Sequence, residues 1–458
     1  MRRNSHLRSI IFILFFSFPQ SQSASEAIHF LEDEIGYGAR SLAMGGAFTA
    51  LGNDPSGMYW NPAGLAGMTN GVIYFEGQNL SYTNLTTYMN ESTLNPLNLE
   101  RLNGLGIAVP IPTIRGSLVV GLGFNRIVHY DSFMSFSGFS NVDNELSFPI
   151  ELDGIEQLYN FSNHVNRSET ILSVGSMEMV TLSFGIALSP TISGGLSFSR
   201  VTGQETYSFE FSQEDSQNQY TQFPADFKQY DLKQTLAAKT RALNIRSGLQ
   251  FLITEALRVG VAISLPFKIN ISENHSTDEI LSFDNGDKSD ARETGLYTYK
   301  VNTPMVLDMG AALTMGNLAV AGSFRYRDWG MTQFNLDNYG HNSDAYIALR
   351  DENTTIALKY RPVFQMRGGM EYLMEINKSF GFTLRAGLAF YPSPKGELPE
   401  DRMVISFGAG IPLGKNMMMD GALISTSWLK NSSDMYTPFG TTEKVQTDRI
   451  LLNISYLF

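Results

Sequence analysis

The chain has 458 residues, no cysteine and a formal net charge of −12, and only 17% of its residues are charged. The negative balance, together with the lack of a Lys/Arg run after residue 8, argues against a nucleic-acid-binding protein. With 41 glycines and 12% aromatic residues, the composition is instead typical of a β-barrel in an outer membrane.

The first 23 residues are predicted to be a secretory signal peptide. Three arginines among residues 1–8 precede an apolar core between Ser9 and Pro19, and residues 21–23 supply the small side chains of a cleavage site. No later run reaches the roughly 20 apolar residues of a membrane-spanning helix. An exported chain of this kind is expected either to be soluble or to close a barrel.

A glycine-rich segment, Gly36–Met68, precedes the first predicted strand. It favours a short helix over Ala39–Leu51, interrupted by Gly45-Gly46, and then turns. The later strands predict a wide barrel over residues 70–458, whose own side chains cannot fill the lumen. We therefore predict that residues 24–69 fold inside the lumen as a hatch, and a periplasmic or disordered extension is the alternative. The predicted hatch motif consists of Gly45, Gly46, Asn61, Pro62 and Ala63.

Asn61-Pro62-Ala63 stands at the junction of the hatch and the first strand. Pro62 fixes its own backbone angle, and the Asn61 amide can satisfy backbone groups that a tight buried turn would leave unpaired. We therefore expect this motif to dock the hatch rather than to bind a ligand.

Alternating apolar residues mark the strands. The stretches 118–124, 180–188, 257–265 and 318–326 each place large apolar side chains on one face and small or polar ones on the other. The same alternation runs to the last residue, where the apolar face consists of Leu452, Ile454, Tyr456 and Phe458. An edge strand of a soluble sandwich is the alternative for this last stretch.

Short and long links alternate strictly between these strands. Thirteen links predict an all-β fold, a 14-stranded antiparallel transmembrane β-barrel with an N-terminal hatch and with both termini on the periplasmic side. The run Asn353–Tyr360 also resembles a strand, but a single chain with both ends on one side needs an even number. We therefore assign that run to the outer end of a long strand or its loop. The long links are predicted at 89–102, 131–177, 202–240, 272–296, 331–362, 392–401 and 429–443.

Two of the long links contain helix-like patterns, at Asp153–Phe161 and Ala225–Ala238. Either these helices bind an apolar ligand, or they only cap the barrel by packing on each other. The candidate ligand-binding residues are Ile155, Leu158, Tyr159, Phe227, Leu232 and Leu236.

An early strand carries two further candidates. Gly121 and Gly123 share its inward face. Because glycine inside a strand often marks a bulge, a kink is predicted here. The alternative is that these glycines have no such role, since barrel strands use glycine freely. Arg126, near the outer end, is a candidate to bind the carboxylate of a ligand, and the alternative is that it faces water or lipopolysaccharide phosphates.

Three stretches resemble the FadL/TodX family of outer-membrane channels for long-chain fatty acids and aromatic hydrocarbons. They are the glycine-rich N-terminal segment with Asn61-Pro62-Ala63, Leu318–Phe334, and Phe382–Gly410 with its Pro392-Ser393-Pro394 turn. The resemblance implies an N-terminal hatch, extracellular loops that form a first apolar groove, and a kinked early strand that releases the ligand sideways into the outer leaflet. Because each methylene kept in water costs roughly 0.8 kcal/mol, a dry lateral route suits such ligands better than a water-filled pore.

The expected function is therefore passive uptake of fatty acids or other hydrophobic compounds across the bacterial outer membrane. No enzyme activity, cofactor or metal is predicted, since the sequence lacks the common hydrolase motifs and its histidines are isolated. The expected partners are hydrophobic small molecules, outer-membrane lipids and lipopolysaccharide, and the barrel assembly machinery through Phe458, and the chain is expected to be a monomer. The alternative is a PorV-like barrel that holds secreted protein cargo and has a similar Asn-Pro-Ala-Gly-Leu start.

Overall fold

The computed structural model describes residues 23–32, 34–152, 155–377, 380–396 and 400–458. The predicted signal peptide, except Ser23, lies outside the described residues, as does Glu397–Pro399 of the Phe382–Gly410 stretch.

The helices are α1 (Ala24–Glu32), α2 (Ala39–Ala43), α3 (Gly57–Trp60) and α4 (Asp344–Lys359), with 3₁₀ turns at Pro62–Gly67 and Trp329–Met331. The strands are β1 (Val72–Tyr88), β2 (Glu91–Ile111), β3 (Leu118–His129), β4 (Ser132–Ser140), β5 (Ser147–Leu152), β6 (Ile155–Asn160), β7 (Val165–Ala187), β8 (Ile192–Glu214), β9 (Phe227–Leu252), β10 (Leu257–Ser264), β11 (Lys268–Phe283), β12 (Lys288–Asn302), β13 (Val306–Met315), β14 (Leu318–Asp328), β15 (Gln333–Phe334), β16 (Pro362–Asn377), β17 (Phe380–Tyr391), β18 (Arg402–Pro412), β19 (Met417–Ser432) and β20 (Thr441–Leu457).

Fourteen antiparallel strands close a barrel, because β1 pairs with β2 on one edge and with β20 on the other. Four of the fourteen are interrupted, and their two halves are β3 and β4, β10 and β11, β12 and β13, and β14 and β15. The halves share neighbours: β7 pairs with both β3 and β4, and β9 pairs with both β10 and β11. The predicted fold class and strand number are confirmed.

An apolar band surrounds the outside of the barrel. On β9, Leu243, Ile245 and Leu249 are exposed, whereas the alternate residues Ala242 and Arg246 are buried inside. Ile253, which is also exposed, lies ten positions after Leu243. On a tilted strand this spacing corresponds to about 25 Å of height, which matches the apolar band of outer-membrane barrels. The chain is therefore a membrane-spanning barrel of the outer-membrane type.

Within the described residues, no helix has both the length and the apolar character needed to cross a membrane.

Most of the predicted long links are in fact strands. β7 and β8 run for 23 residues each and β9 for 26, so that their outer halves occupy much of 131–177 and 202–240. Outside the membrane the outward face of a strand needs no apolar residues, and Lys233 of β9 pairs there with Glu210 of β8 at 2.5 Å. These extensions therefore look like polar links in the sequence.

The prediction of two helices in the long links is wrong. The described part of Asp153–Phe161 forms β6, which pairs with β5 in a separate hairpin, and Ala225–Ala238 contains the start of β9. The run Asn353–Lys359, which resembled a strand in the sequence, belongs to helix α4. It lies in the link between β15 and β16, and a position in a link was one of the two predicted for it. Ser343 is the N-cap residue of α4, because its side chain accepts a hydrogen bond from the Tyr346 backbone N–H.

The N-terminal segment, defined here as residues 34–68, packs against inward-facing residues of the barrel wall. Its contacts reach strands in different parts of the wall. Its hydrogen bonds to the wall include Ala39 N to Glu76 of β1 at 2.6 Å, Ser197 of β8 to Met58 O at 2.8 Å, Asn61 to Leu249 O of β9 at 3.1 Å, and Ser406 of β18 to Ala43 O at 3.1 Å.

Two adjacent glycines of β16 test this packing. A Cβ at Gly369 would lie 2.3 Å from the carbonyl oxygen of Met44, whereas a Cβ at Gly368 would meet no atom within 4 Å. Gly369→Val is therefore expected to push the N-terminal segment off the wall and to expose it to protease, while the barrel keeps its heat-resistant migration in detergent gels. The matched control, Gly368→Val, is expected to keep the parent's protection. Equal protection of the two variants would contradict the packing.

Candidate functional site

A buried carboxylate, Asp308 of β13, lies at the centre of the contacts between the wall and the N-terminal segment. Arg325 Nε donates to Asp308 Oδ1 at 2.9 Å, Arg367 Nη1 lies 3.5 Å from the same oxygen, and Arg246 donates to Oδ2. All four residues are at most 5% exposed. Three guanidinium groups around one carboxylate leave an excess of buried positive charge that requires further acceptors.

The N-terminal segment supplies acceptors for this excess charge. The Trp60 carbonyl accepts a hydrogen bond from Arg246 at 3.0 Å, and the Tyr59 hydroxyl accepts one from Arg325 at 2.9 Å. The guanidinium of Arg367 also lies 5.1 Å from the Trp60 ring centre, within cation–π range. The segment is therefore held by charged groups of three different strands and not by apolar contact alone.

Glu34, in the link between α1 and α2, makes a second ionic contact with this wall. It pairs with Arg327, and its Oε1 lies 3.7 Å from Arg325 Nη1. Burial by itself would raise the pKa of Glu34, but the two guanidinium groups lower it to about 2. The carboxylate is thus ionised at neutral pH, and its contribution to docking is lost only as the pH falls from about 4.5 towards 2.

Asn61 is fully buried at the point where the N-terminal segment turns towards β1. Its Nδ2 donates to the carbonyls of Thr49 at 2.8 Å and Leu249 at 3.1 Å, and its Oδ1 accepts from the Ala63 backbone at 3.1 Å. Pro62 begins the 3₁₀ turn directly after it. The hatch-motif glycines, Gly45 and Gly46, have φ angles of 66° and 75°, which favour glycine.

Asn61→Ala removes three hydrogen bonds and leaves buried carbonyls without a donor. We expect a loss of roughly 1 to 3 kcal/mol of docking free energy. Limited proteolysis should show faster cleavage of the N-terminal segment, and ligand uptake should fall with it while the barrel stays heat-resistant. Asn274→Ala, on an exposed asparagine of β11, is the control. Uptake lost with full protection would mean that Asn61 contacts the ligand.

A cavity of about 330 Å³ lies in the lumen beside α1. Its lining is mixed, with apolar and aromatic side chains beside arginines and carboxylates. The lining includes Leu80, Tyr82, Trp329, Tyr391, Val404, Trp428, Arg402, Arg449, Glu26, Glu32, Glu34, Asp131 and Glu400. Arg449 is only 3% exposed, and its Nε and Nη2 have no hydrogen-bond partner among the described residues. A buried guanidinium with free donors, beside the aromatic residues of this lining, suits an amphiphilic ligand with an anionic head.

Glu26 of α1 also lines this cavity. Burial raises the pKa of Glu26 to about 7, with Glu205 adding to the increase and His29 opposing it. A fraction of this carboxyl group is therefore neutral at physiological pH, which reduces its repulsion of an anionic ligand.

The wall of the barrel is incomplete between β2 and β4. The β2–β3 ladder ends at Gly104 and Asn125, and a register shift follows between Arg126 and Val128. Beyond it the strand continues as β4, which pairs with β7. Residues 91–103 of β2 pair with β1 on one edge, and within the described residues they have no ladder partner on the other.

Side chains bridge this gap in place of a backbone ladder. Arg101 makes a two-pronged ion pair with Asp131 at 2.5 and 2.7 Å, and Arg126 donates to a backbone carbonyl of β2 at 2.8 Å. Further out, Asn95 donates to the Ser135 carbonyl at 3.0 Å. Asp131 lines the lumen cavity, whereas Arg101 lines a second cavity of about 390 Å³ that reaches exposed residues of β8. The ion pair therefore stands between the two cavities.

Gly121 and Gly123, where the kink is predicted, pair regularly with β2 and β7, and the register shift of this strand lies further on, between Arg126 and Val128. They instead make room for Met58 of α3: a Cβ at Gly121 would lie 2.8 Å from its sulfur, and one at Gly123 would lie 2.9 Å from its methyl group. The irregularity begins at Arg126, which bridges the gap and pairs with Glu178 at 3.3 Å.

The predicted ligand-binding residues of the long links do not line the lumen cavity. Ile155 and Leu158 are 72% and 62% exposed on the outer hairpin, and the Tyr159 ring stacks on Phe161. Phe227 and Leu232 are buried in an aromatic cluster at the outer end of the barrel, and Leu236 is partly buried on β9. Sequence reasoning missed Asp308, Arg449 and the pair of Arg101 with Asp131, although inward-facing charges in alternating strands were a visible signal.

No family model matches the sequence, and no curated protein matches it. Among solved structures, the chain is similar to the Pseudomonas putida toluene transporter TodX, with 13% identity over 93% of this chain and 99% of that one and a TM-score of 0.57. It is also similar to a Pseudomonas aeruginosa FadL homologue (12% identity, 92% and 99% covered, TM-score 0.58) and to the Ralstonia pickettii toluene transporter TbuX (16% identity, 93% and 99% covered, TM-score 0.53). At these identities the likeness shows the fold, and the chain has the barrel fold of these channels.

Proposed function

We propose that this protein is a passive channel of the bacterial outer membrane that takes up hydrophobic compounds and releases them sideways through its wall. The observation that carries the proposal is the lumen cavity with a break in the wall beside it. The similar solved structures are described as toluene transporters and a FadL homologue, which supports a hydrophobic ligand. In this proposal residues 24–69 act as the hatch that closes the lumen to water.

The ligand first enters the lumen cavity. Trp329, Tyr391 and Trp428 offer apolar surface there, and Arg449 offers charged donors to a carboxylate. The N-terminal segment blocks the direct path to the periplasm, because its backbone touches the wall. A ligand in the cavity therefore has the gap between β2 and β4 as its exit, provided that the pair of Arg101 with Asp131 separates.

The direct test is uptake of labelled oleate and of labelled toluene by a deletion strain and by the strain carrying the gene on a plasmid. We expect the deletion to lower uptake of at least one of them and the plasmid to restore it. Unchanged uptake of both would refute the channel. Unchanged uptake combined with loss of a secreted protein from the cell surface would favour the cargo-holding alternative.

Locking the gap is expected to stop lateral release. The chain has no cysteine, so that Arg101→Cys/Asp131→Cys gives a unique thiol pair for a short bifunctional cross-linker. Cross-linking should abolish most uptake, and the same protein without cross-linker is the internal control. Ser81→Cys/Asp448→Cys, a directly paired position in the intact β1–β20 ladder, controls for cross-linking as such. If the locked gap transports as well as the locked ladder, the ligand leaves by another path.

Arg449→Gln separates anionic from neutral ligands. Because a hydrogen bond to a charged group contributes about 1.5 to 3 kcal/mol, fatty-acid binding should weaken by roughly 10- to 100-fold, measured by tryptophan fluorescence, while toluene binding stays unchanged. Lys430→Gln is the control, since Lys430 also lines the cavity but is 41% exposed and pairs with Glu443. An equal loss for both ligands would indicate a structural role for Arg449.

A further inference from the structure

Five basic residues form a cluster, called here the basic patch, on the outer face of four consecutive barrel strands. Its members are Arg200 of β8, Lys239 and Arg241 of β9, Lys268 of β11 and Lys300 of β12. All of them alternate with buried inward residues, and all but the half-buried Lys300 are exposed. They stand out in a chain whose net charge is −12.

The strand register brings these residues together. Arg241 lies directly opposite Asn270, and Asn270 lies directly opposite Lys300. Since neighbouring strands are about 4.8 Å apart, Arg241 and Lys300 are separated by about 10 Å. Lys268 is two residues from Asn270 on the same face. The patch is therefore compact enough for one ligand to contact several members.

The basic patch begins where the apolar band ends. On β9 the exposed Leu243 is the next outward residue below Arg241, and on β8 Phe198 is the next below Arg200. On the third strand, Leu265 is 50% exposed just before Lys268. This border is on the side of the long links, which in an outer-membrane barrel is the level of the outer-leaflet head groups.

The same level on another part of the wall has no such charge. There Asp448 of β20 lies directly opposite Ser81 of β1 and Ser425 of β19, just above the exposed Ile450. The border at Asp448 thus differs in charge from the border at the basic patch.

Among the residues that the structure describes, one carboxylate forms an ion pair with the basic patch. Asp337 Oδ2 lies 3.3 Å from Lys268 Nζ, and both side chains are more than half exposed, so that their attraction is weak in water. Glu178, two strands from Arg241, is already paired with Arg126. The patch therefore keeps a surplus of positive charge beside an apolar surface.

We propose that the basic patch binds the phosphate groups of lipid A, the phosphorylated glycolipid anchor of lipopolysaccharide in the outer leaflet. The acyl chains of the lipid lie against Phe198, Leu243 and Leu265, and its phosphates accept hydrogen bonds from the arginines and lysines above them. Asn270, between Arg241 and Lys300, adds a neutral donor. This lipid site is separate from the lumen cavity and does not depend on what the channel transports.

The test compares two triple variants that lose the same charge. The patch variant is Arg241→Gln/Lys268→Gln/Lys300→Gln, and the control variant is Lys228→Gln/Lys288→Gln/Lys444→Gln, which removes exposed lysines from the far outer ends of β9, β12 and β20. Purified proteins in detergent are titrated with diphosphoryl lipid A and with its dephosphorylated form, and bound lipid is counted by native mass spectrometry. Heat-modified gel migration shows that each variant is folded.

We expect diphosphoryl lipid A to bind the patch variant about tenfold or more weakly than the parent, and the control variant about as well as the parent. Dephosphorylated lipid A should bind all three weakly, and added salt should weaken only the binding of the phosphorylated form. Equal binding of diphosphoryl lipid A by the patch variant and the parent would overturn the proposal, as would equal binding of the two lipids by the parent. A second patch variant, Arg200→Gln/Lys239→Gln, is expected to reproduce the loss.

Discussion

The fold depends on how the buried charge around Asp308 is neutralised. One carboxylate cannot balance Arg246, Arg325 and Arg367, and removing one partner from a buried ionic group typically costs 3 to 5 kcal/mol. The carbonyl of Trp60 and the hydroxyl of Tyr59 complete the arrangement. The N-terminal segment thus supplies acceptors to the charged wall from β9 to β16, so the segment and the barrel form one electrostatic unit.

Steric fit adds to this charge balance. At Gly369 the backbone of β16 lies so close to Met44 that no side chain fits between them, and Gly121 likewise makes room for Met58. At these positions the segment and the wall leave no room for a long apolar molecule to pass between them. The interruption in the ladder between β2 and β4 lies at the side of the barrel.

Much of the architecture was predictable from the sequence, because lipid on one face of each strand imposes a period of two. The outer halves of β7–β9 were not predictable in this way, because beyond the membrane their outward-facing residues are polar, as Lys233 and Glu210 are. Ala225–Ala238 imitated a helix because its aromatic residues face an interior cluster around Phe161. The inward-facing charges of the Asp308 site were visible in the sequence, but their pairing was not, because Arg246 is 62 residues from Asp308 and only the closed barrel brings the two together.

The way in which the gap is closed suits the proposed lateral route. A continuous ladder between β2 and β4 would require several backbone hydrogen bonds to break together, in a place where lipid offers no replacement partners. The gap is held instead by a few side-chain contacts, chiefly that of Arg101 with Asp131, and a cavity lies on either side of this pair. Only these few side-chain contacts have to separate, while the neighbouring ladders with β1 and β7 stay intact. In the proposed lateral route an apolar ligand, whose transfer from water to lipid gains roughly 0.8 kcal/mol per methylene, therefore passes the wall without the unfolding of a strand.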